Sequence, residues 1–297
     1  MELIALLRGS AALYAACAGL LGLLIGSFLN VVIHRLPKIM EAEWRAQCAE
    51  LAAAPAPAPV VAAPAYNLVT PRSACPKCGA PITALQNIPV LSWLALGGRC
   101  ARCREPISAR YPLVELATGA LSALVAWRFG FGWDGGCALV ITWTLIALTG
   151  IDLDTQYLPD SLTQPLLWLG LLAAAYLGRG AAAVPVDLRS AVLGAAFGYA
   201  SLWSVYQLFR LVTGKEGMGY GDFKLYAALG AWLGWQMLLP VILLSAASGA
   251  LLGLSLIALR RHQRGVPIPF GPYLAVAGWL VMMWPHELVS PWWRLAR

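Results

Sequence analysis

Ala11-Ala-Leu-Tyr14-Ala-Ala16-Cys17-Ala-Gly19-Leu-Leu-Gly22-Leu-Leu-Ile-Gly26-Ser-Phe-Leu-Asn30-Val-Val-Ile33 contains no charged side chain from end to end. At about 1.5 Å of rise per residue the run outreaches a hydrocarbon layer of about 30 Å, so it reads as a transmembrane helix. Arg8 ahead of it, and Ala15 and Ala16 just before Cys17, imitate a cleavable lipoprotein leader. Tyr14 fits such a cleavage site poorly, and the apolar stretch continues past Cys17 to Val32, so the helix is expected to be retained.

The remainder of the chain is of the same kind. Of its 297 residues 60% are hydrophobic and only 12% charged, with 13 Trp, and the mean hydropathy is +0.69. That balance excludes an ordinary soluble domain. Further apolar segments fall at 112–130, 135–151, 161–178, 188–213, 223–236, 238–259 and 271–285. Each is near spanning length, which predicts an all-α polytopic membrane protein of about eight transmembrane helices. The 223–236 segment is short and interrupted by glycine, so a tilted or re-entrant helix is the alternative there.

Lys and Arg concentrate in loops on the cytosolic side of a membrane, which fixes an orientation. With the N-terminus outside, the inner loops hold Arg35, Lys38, Arg45, Arg72, Lys77, Arg99, Arg102, Arg104, Arg110, Arg210, Lys215, Lys224, Arg260, Arg261 and Arg264. The outer segments hold only Arg8, Arg128, Arg179, Arg189, Arg294 and Arg297. Both termini are therefore expected outside, and the formal net charge of +7 is explained by topology, with no nucleic-acid partner.

Three regions follow: residues 1–34 as the first transmembrane helix, 35–110 as a cytosolic loop domain, and 111–297 as a multi-helix intramembrane core. Within the loop domain, 38–51 reads as a short amphipathic helix and the Ala/Pro tract from Ala52 to Ala65 as an extended linker. Beyond Pro71 come Cys75-Pro-Lys-Cys78 and Cys100-Ala-Arg-Cys103, separated by residues 79–99. Paired CxxC turns at this spacing match four-cysteine zinc sites, with Lys77, Arg99, Arg102 and Arg104 at hand to offset a tetrathiolate's charge. Thiol redox chemistry or a degenerate site are the other readings, and disulfides are disfavoured in a reducing compartment. Cys17, Cys48 and Cys137 need no role; Cys17 and Cys137 lie in apolar spans as small hydrophobes.

Carboxylates at the ends of spanning helices are costly and point to function. Ile151-Asp152-Leu-Asp154-Thr-Gln-Tyr-Leu-Pro159-Asp160 ends one span, and Gly217-Met-Gly219-Tyr220-Gly221-Asp222-Phe-Lys224 opens another, both on the inner face in this topology. Two carboxylates from separate helices can share one proton and hold a water between them, the chemistry of aspartic proteolysis. The glycines beside Asp222 would let an extended substrate strand lie close. Asp160 reads as an N-cap and Asp154 as a solvated loop charge. Asp152 and Asp222 are the catalytic candidates, against the plainer reading in which the glycines serve helix packing alone.

These motifs resemble the type IV prepilin peptidase family, within the wider group of GxGD intramembrane aspartic proteases. The resemblance runs through Gly26-Ser-Phe-Leu-Asn30-Val-Val-Ile-His34-Arg35-Leu-Pro37, the paired CxxC, Asn87-Ile-Pro89 with Ser92-Trp93, Ser108-Ala-Arg110-Tyr111-Pro112-Leu-Val-Glu115, the two aspartate segments, and Pro269-Phe-Gly271-Pro272. It implies a bacterial inner-membrane enzyme with Asp152 and Asp222 as the catalytic pair. Its substrates would be type IV prepilins or type II secretion pseudopilins, cut at the cytosolic membrane face. It also implies methyl transfer from S-adenosylmethionine to the new N-terminus, although no glycine-rich strand-to-helix element of the usual nucleotide-binding kind is present. The residues that hold the methyl donor are not assigned. Asn30, His34, Arg35 and Glu115 either shape the donor or substrate site or serve as anchors for helix pairing; His34 as a metal ligand is disfavoured because four cysteines already complete a shell.

Two readings of other classes compete. A proton-coupled transporter would carry acids near the membrane midplane and matching halves, whereas here both acidic motifs sit at one face. A metal-bearing membrane scaffold would leave the aspartates incidental.

Overall fold

The structure is a computed structural model that describes residues 2–52, 66–177, 186–259, 269–285 and 287–288. The expected Ala/Pro linker lies outside the described residues from Ala53 to Ala65, as do Arg179, Arg260, Arg261, Arg264, Arg294 and Arg297 of the orientation argument. Regular structure among the described residues is helical: α1 (Glu2–Gly9), α2 (Ala11–Ala52), α3 (Leu91–Ala95), α4 (Arg110–Phe129), α5 (Trp133–Thr155), α6 (Asp160–Leu177), α7 (Leu188–Thr213), α8 (Tyr220–Leu233), α9 (Leu238–Ala258) and α10 (Gly271–Met283). The seven apolar segments beyond residue 110 thus each become one helix. Among the described residues three stretches are long and apolar enough to cross a membrane, in α2, in α5 and across Trp235–Ser255, and α10 is a shorter apolar helix.

The boundary at residue 34 falls inside a helix. α2 continues unbroken through Pro37, so the expected amphipathic helix at 38–51 is its second half. Pro37 removes one backbone donor, but the segment beyond it is rich in helix-forming Ala, Glu and Arg, and Arg45 pairs with Glu41 one turn back at 2.5 Å.

The chain divides into two compact units, one of residues 17–122 and one of residues 1–16 with 123–297. In the first, α2 and α4 meet through glycines. A Cβ on Gly22 would lie 2.5 Å from Ser122 Oγ, one on Gly26 2.7 Å from the Glu115 Cα, and one on Gly119 2.8 Å from Leu23 Cδ2. Small residues of this kind let apolar helices approach where no hydrophobic effect drives them together. The Thr118 and Ser122 hydroxyls in that contact donate back to Val114 O and Thr118 O, each at 2.7 Å, and so leave no polar group unpaired.

In the second unit α8 is the innermost element, buried on every side from Asp222 to Leu233 except at the partly covered Lys224. α7 crosses it at Gly194 and Gly198, opposite Gly230 and Tyr226. α6 packs Gly170 on Trp232, whose indole donates to Leu166 O at 2.7 Å. α10 packs Gly278 on Leu229 and reaches α5 through Trp279 Nε1, which donates to Thr142 Oγ1 at 3.0 Å. A helix 14 residues long is too short to span hydrocarbon upright, and it is covered by protein on all sides instead.

Candidate functional site

Asp152 sits on the last turns of α5, which stops because Gln156 turns left-handed at φ 53° and caps the helix through an amide to Asp152 O at 2.9 Å. Asp222 lies in the first turn of α8, where its own amide donates to Gly219 O at 3.2 Å. Both side chains are buried, at 4% and 7% relative exposure. Asp152 Oδ2 makes no hydrogen bond among the described residues. A buried carboxylate oxygen without a partner is costly and calls for a functional explanation.

Leu158 joins the two acidic segments. A Cβ on Gly221 would come 2.7 Å from Leu158 Cβ, and one on Gly271 would come 3.2 Å from Leu158 Cδ1 and 2.6 Å from Asp152 Oδ2. The end of α5 and the starts of α8 and α10 therefore converge on one buried leucine. This corrects one expectation: the space beside Gly221 is filled by Leu158, so that glycine serves internal packing, whereas Gly219 has only Asp222 Oδ2 nearby at 3.8 Å. Gly271 stood in the sequence only as part of the Pro269–Pro272 motif, and Leu158 carried no chemical signal at all.

Asp160 also departs from expectation. Pro159, whose carbonyl accepts from the amides of Leu162 and Thr163, fills the capping position. Asp160 is instead the first residue of α6, and both its oxygens accept from Lys224 Nζ at 2.7 Å. That ion pair ties α6 to α8 two residues after Asp222. Asp154 is exposed in the last turn of α5.

In the other unit, the four polar residues singled out in the sequence all find local partners. Asn30 donates to Tyr111 O at 3.1 Å, Arg35 donates to Asn67 O at 3.0 Å and lies over the Tyr66 ring, and Glu115 accepts from the Val90 amide at 2.7 Å. Asn30, Arg35 and Glu115 are buried. His34 is exposed and pairs with Lys38 at 2.9 Å. Arg35 and Glu115 thus bond the segment between α2 and α4, Asn30 joins α2 to α4, and His34 bonds within α2.

Cys75, Cys78, Cys100 and Cys103 come together, with all four sulfurs within 4.8 Å of one another. Cys75 and Cys103 are 3.7 Å apart and Cys78 and Cys100 are 4.0 Å apart. The two CxxC turns are copies of one design: Cys75-Pro-Lys-Cys78-Gly-Ala-Pro81-Ile82 repeats as Cys100-Ala-Arg-Cys103-Arg-Glu-Pro106-Ile107. Cys75 N donates to Ala80 O as Cys100 N does to Glu105 O, and Gly79 and Arg104 both take left-handed φ. Lys77 of one turn pairs with Glu105 of the other. The amides of Cys103 and Arg102 aim at the Cys100 sulfur and hold its thiol down at about 6. Cys103, although the Glu105 amide favours its thiolate, is pushed up to about 12 by desolvation and the neighbouring sulfurs. Four sulfurs this close become thiolates together only around a cation, and the cluster can hold one metal ion.

Residues 20–129 match the bacterial peptidase A24 N-terminal domain, and residues 139–254 match the type IV leader peptidase family. A prepilin leader peptidase/N-methyltransferase of Pseudomonas aeruginosa is 54% identical over 95% of this chain and 94% of its own length. Proteins of the same name from Aeromonas salmonicida and Xanthomonas campestris are 55% and 48% identical, each over at least 95% of both chains. No solved structure matches the chain. The four cysteines fall within the first family match and both aspartates within the second, while Gly271 lies beyond them.

Proposed function

We propose, since the chain belongs to the type IV leader peptidase family, that it is a bacterial inner-membrane aspartic endopeptidase. It removes the leader from type IV prepilins and type II secretion pseudopilins at the cytosolic face and then methylates the new N-terminus from S-adenosylmethionine. The observation that carries the reading is a pair of buried carboxylates on separate helices, one with an unpartnered oxygen, whose segments pack on the same leucine, Leu158. A transporter reading has no comparable support from the relatives, each of which is named as a peptidase and methyltransferase.

The mechanism follows from the pair. Asp152 and Asp222 share one proton: the ionised carboxylate takes a proton from a water as its oxygen bonds to the scissile carbonyl carbon, and the protonated partner donates to the carbonyl oxygen. Collapse of the tetrahedral species breaks the C–N bond, and the leaving nitrogen takes up a proton. The products are a leader carboxylate and a free amine. That amine then displaces S-adenosylhomocysteine from the methyl donor and releases a proton. Incubating purified protein with a prepilin tests the proposal: a shortened pilin with a methylated N-terminus is expected, and an uncut substrate overturns it.

The order of the two reactions is fixed by chemistry, since the mature N-terminal amine does not exist before the cut. Full-length prepilin should therefore stay unmethylated at that position when mixed with Asp152→Ala protein. A pre-cleaved pilin peptide with labelled S-adenosylmethionine should still take up label from the same variant if the methyl site is separate from the carboxylate pair. No label, with the wild type active in parallel, would instead place both reactions in one shared site.

The four cysteines fit zinc. Thiolates about 2.3 Å from a tetrahedral zinc lie about 3.8 Å from each other, close to the separations seen across the two turns. Bound zinc would pin the two turns together and so contribute to folding of this segment. Metal analysis should find about one zinc per chain, lost in the Cys75→Ser, Cys78→Ser double variant; unchanged metal content rules the site out.

A further inference from the structure

We infer that Gly271 is a positioning residue for Asp152: its missing side chain lets the start of α10 close on the carboxylate and hold it in the orientation the reaction needs. The inference rests on the peptidase reading above and deepens it. Pro269-Phe-Gly271-Pro272 is placed by the fold where only glycine fits. A Cβ there would lie 2.6 Å from Asp152 Oδ2, 3.1 Å from its Cγ and 3.2 Å from Leu158 Cδ1. The first of these separations is one that real Cβ atoms do not tolerate, so the carboxylate would have to turn away.

Steric need, not backbone conformation, puts glycine here. Residue 271 is the first of α10 and has no left-handed φ, so alanine meets no strain in the backbone itself. The three atoms that an alanine Cβ would meet most closely belong to the carboxylate and to the leucine behind it. Leu158 is buried and also fills the space beside Gly221, so it cannot retreat without pressing on the segment that carries Asp222. The Asp152 side chain is 4% exposed, with one oxygen unpartnered, and it has little freedom to find another rotamer. A rotated carboxylate meets the attacking water badly, while contacts that a long substrate makes away from the scissile bond would be left as they are. The effect therefore belongs in kcat.

The test combines kinetics with stability. Gly271→Ala should lower kcat for leader cleavage by about 100-fold with KM within about threefold of the wild type. Gly278→Ala, on the same helix but against Leu229, should lower thermal stability while the folded fraction keeps its kcat. A double-mutant cycle gives a readout that does not need activity: Gly271→Ala should lower the melting temperature in the wild-type background and do so less in the Asp152→Ala background, where the two closest contacts, both with the carboxylate, are gone and only that with Leu158 remains. If Gly271→Ala alone fails to fold, recovery of folding in the Asp152→Ala background supports the inference and continued failure overturns it. Equal melting shifts in both backgrounds, or wild-type kcat in Gly271→Ala, also overturn it. Failure of the peptidase reading is distinct, because the wild type itself would then leave prepilin uncut, whereas the melting comparison of the two backgrounds could still be read.

Discussion

Asp152→Ala and Asp222→Ala are each expected to cut the rate of leader cleavage by about 10³-fold or more while the protein stays inserted and folded. One carboxylate cannot at once take the proton from water and donate to the carbonyl oxygen, so removal of either partner removes both functions. Asp152→Asn and Asp222→Asn sharpen the test, since they keep the shape and lose the ionisable carboxyl group. Both should be as inactive as the alanine variants. Asp160→Ala is the control within the same segment: it removes the ion pair with Lys224 but neither carboxylate of the assigned pair. Because that carboxylate is about half exposed, the pair is worth only about 1 kcal/mol or less, and cleavage should persist. Assays in detergent or liposomes with a purified prepilin decide the matter, and near wild-type cutting by either core variant removes the pair from its assigned role.

How much of this was legible in the sequence depends on which physical signal each part leaves. Apolar length located the seven helices after residue 110 because a bilayer demands long apolar runs whatever the neighbours are. The turns failed where local signals compete. The sequence bounds the first helix at residue 34 with a separate one at 38–51, yet α2 runs through both and through Pro37, because a single lost hydrogen bond is outweighed by the helix formers that follow. Asp160 before Ser161 reads as an N-cap, yet Pro159 takes that place and Lys224, 64 residues on, claims the carboxylate. The two carboxylates and four cysteines were visible because their residue types are rare in such a setting and their spacing is chemical. Gly271 and Leu158 were not. A glycine announces small size but never which atom fills the gap, and only the fold brings residue 271 against residue 152.

The close backbone crossing of α7 and α8 makes the second large prediction. A Cβ on Gly194 would lie 2.1 Å from Gly230 O, and one on Gly230 would lie 2.1 Å from Gly194 O. Both obstacles are helix backbone, which cannot step aside as a side chain can, so the whole of α7 would have to move off α8. Overpacking of this sort costs about 1–3 kcal/mol when side chains yield and more when backbones must separate. Gly194→Ala and Gly230→Ala are thus each expected to lower the melting temperature by several degrees and to depress the yield of folded protein. Gly136→Ala is the matched control, since a Cβ there meets nothing within 4 Å and alanine within a helix is favoured over glycine by about 0.5–1 kcal/mol. Its melting temperature should hold or rise. If Gly194→Ala melts with Gly136→Ala, the close crossing is wrong. If it melts early, cleavage should fall with it, because α8 delivers Asp222 from its first turn and a helix displaced from α7 carries that carboxylate away from Asp152.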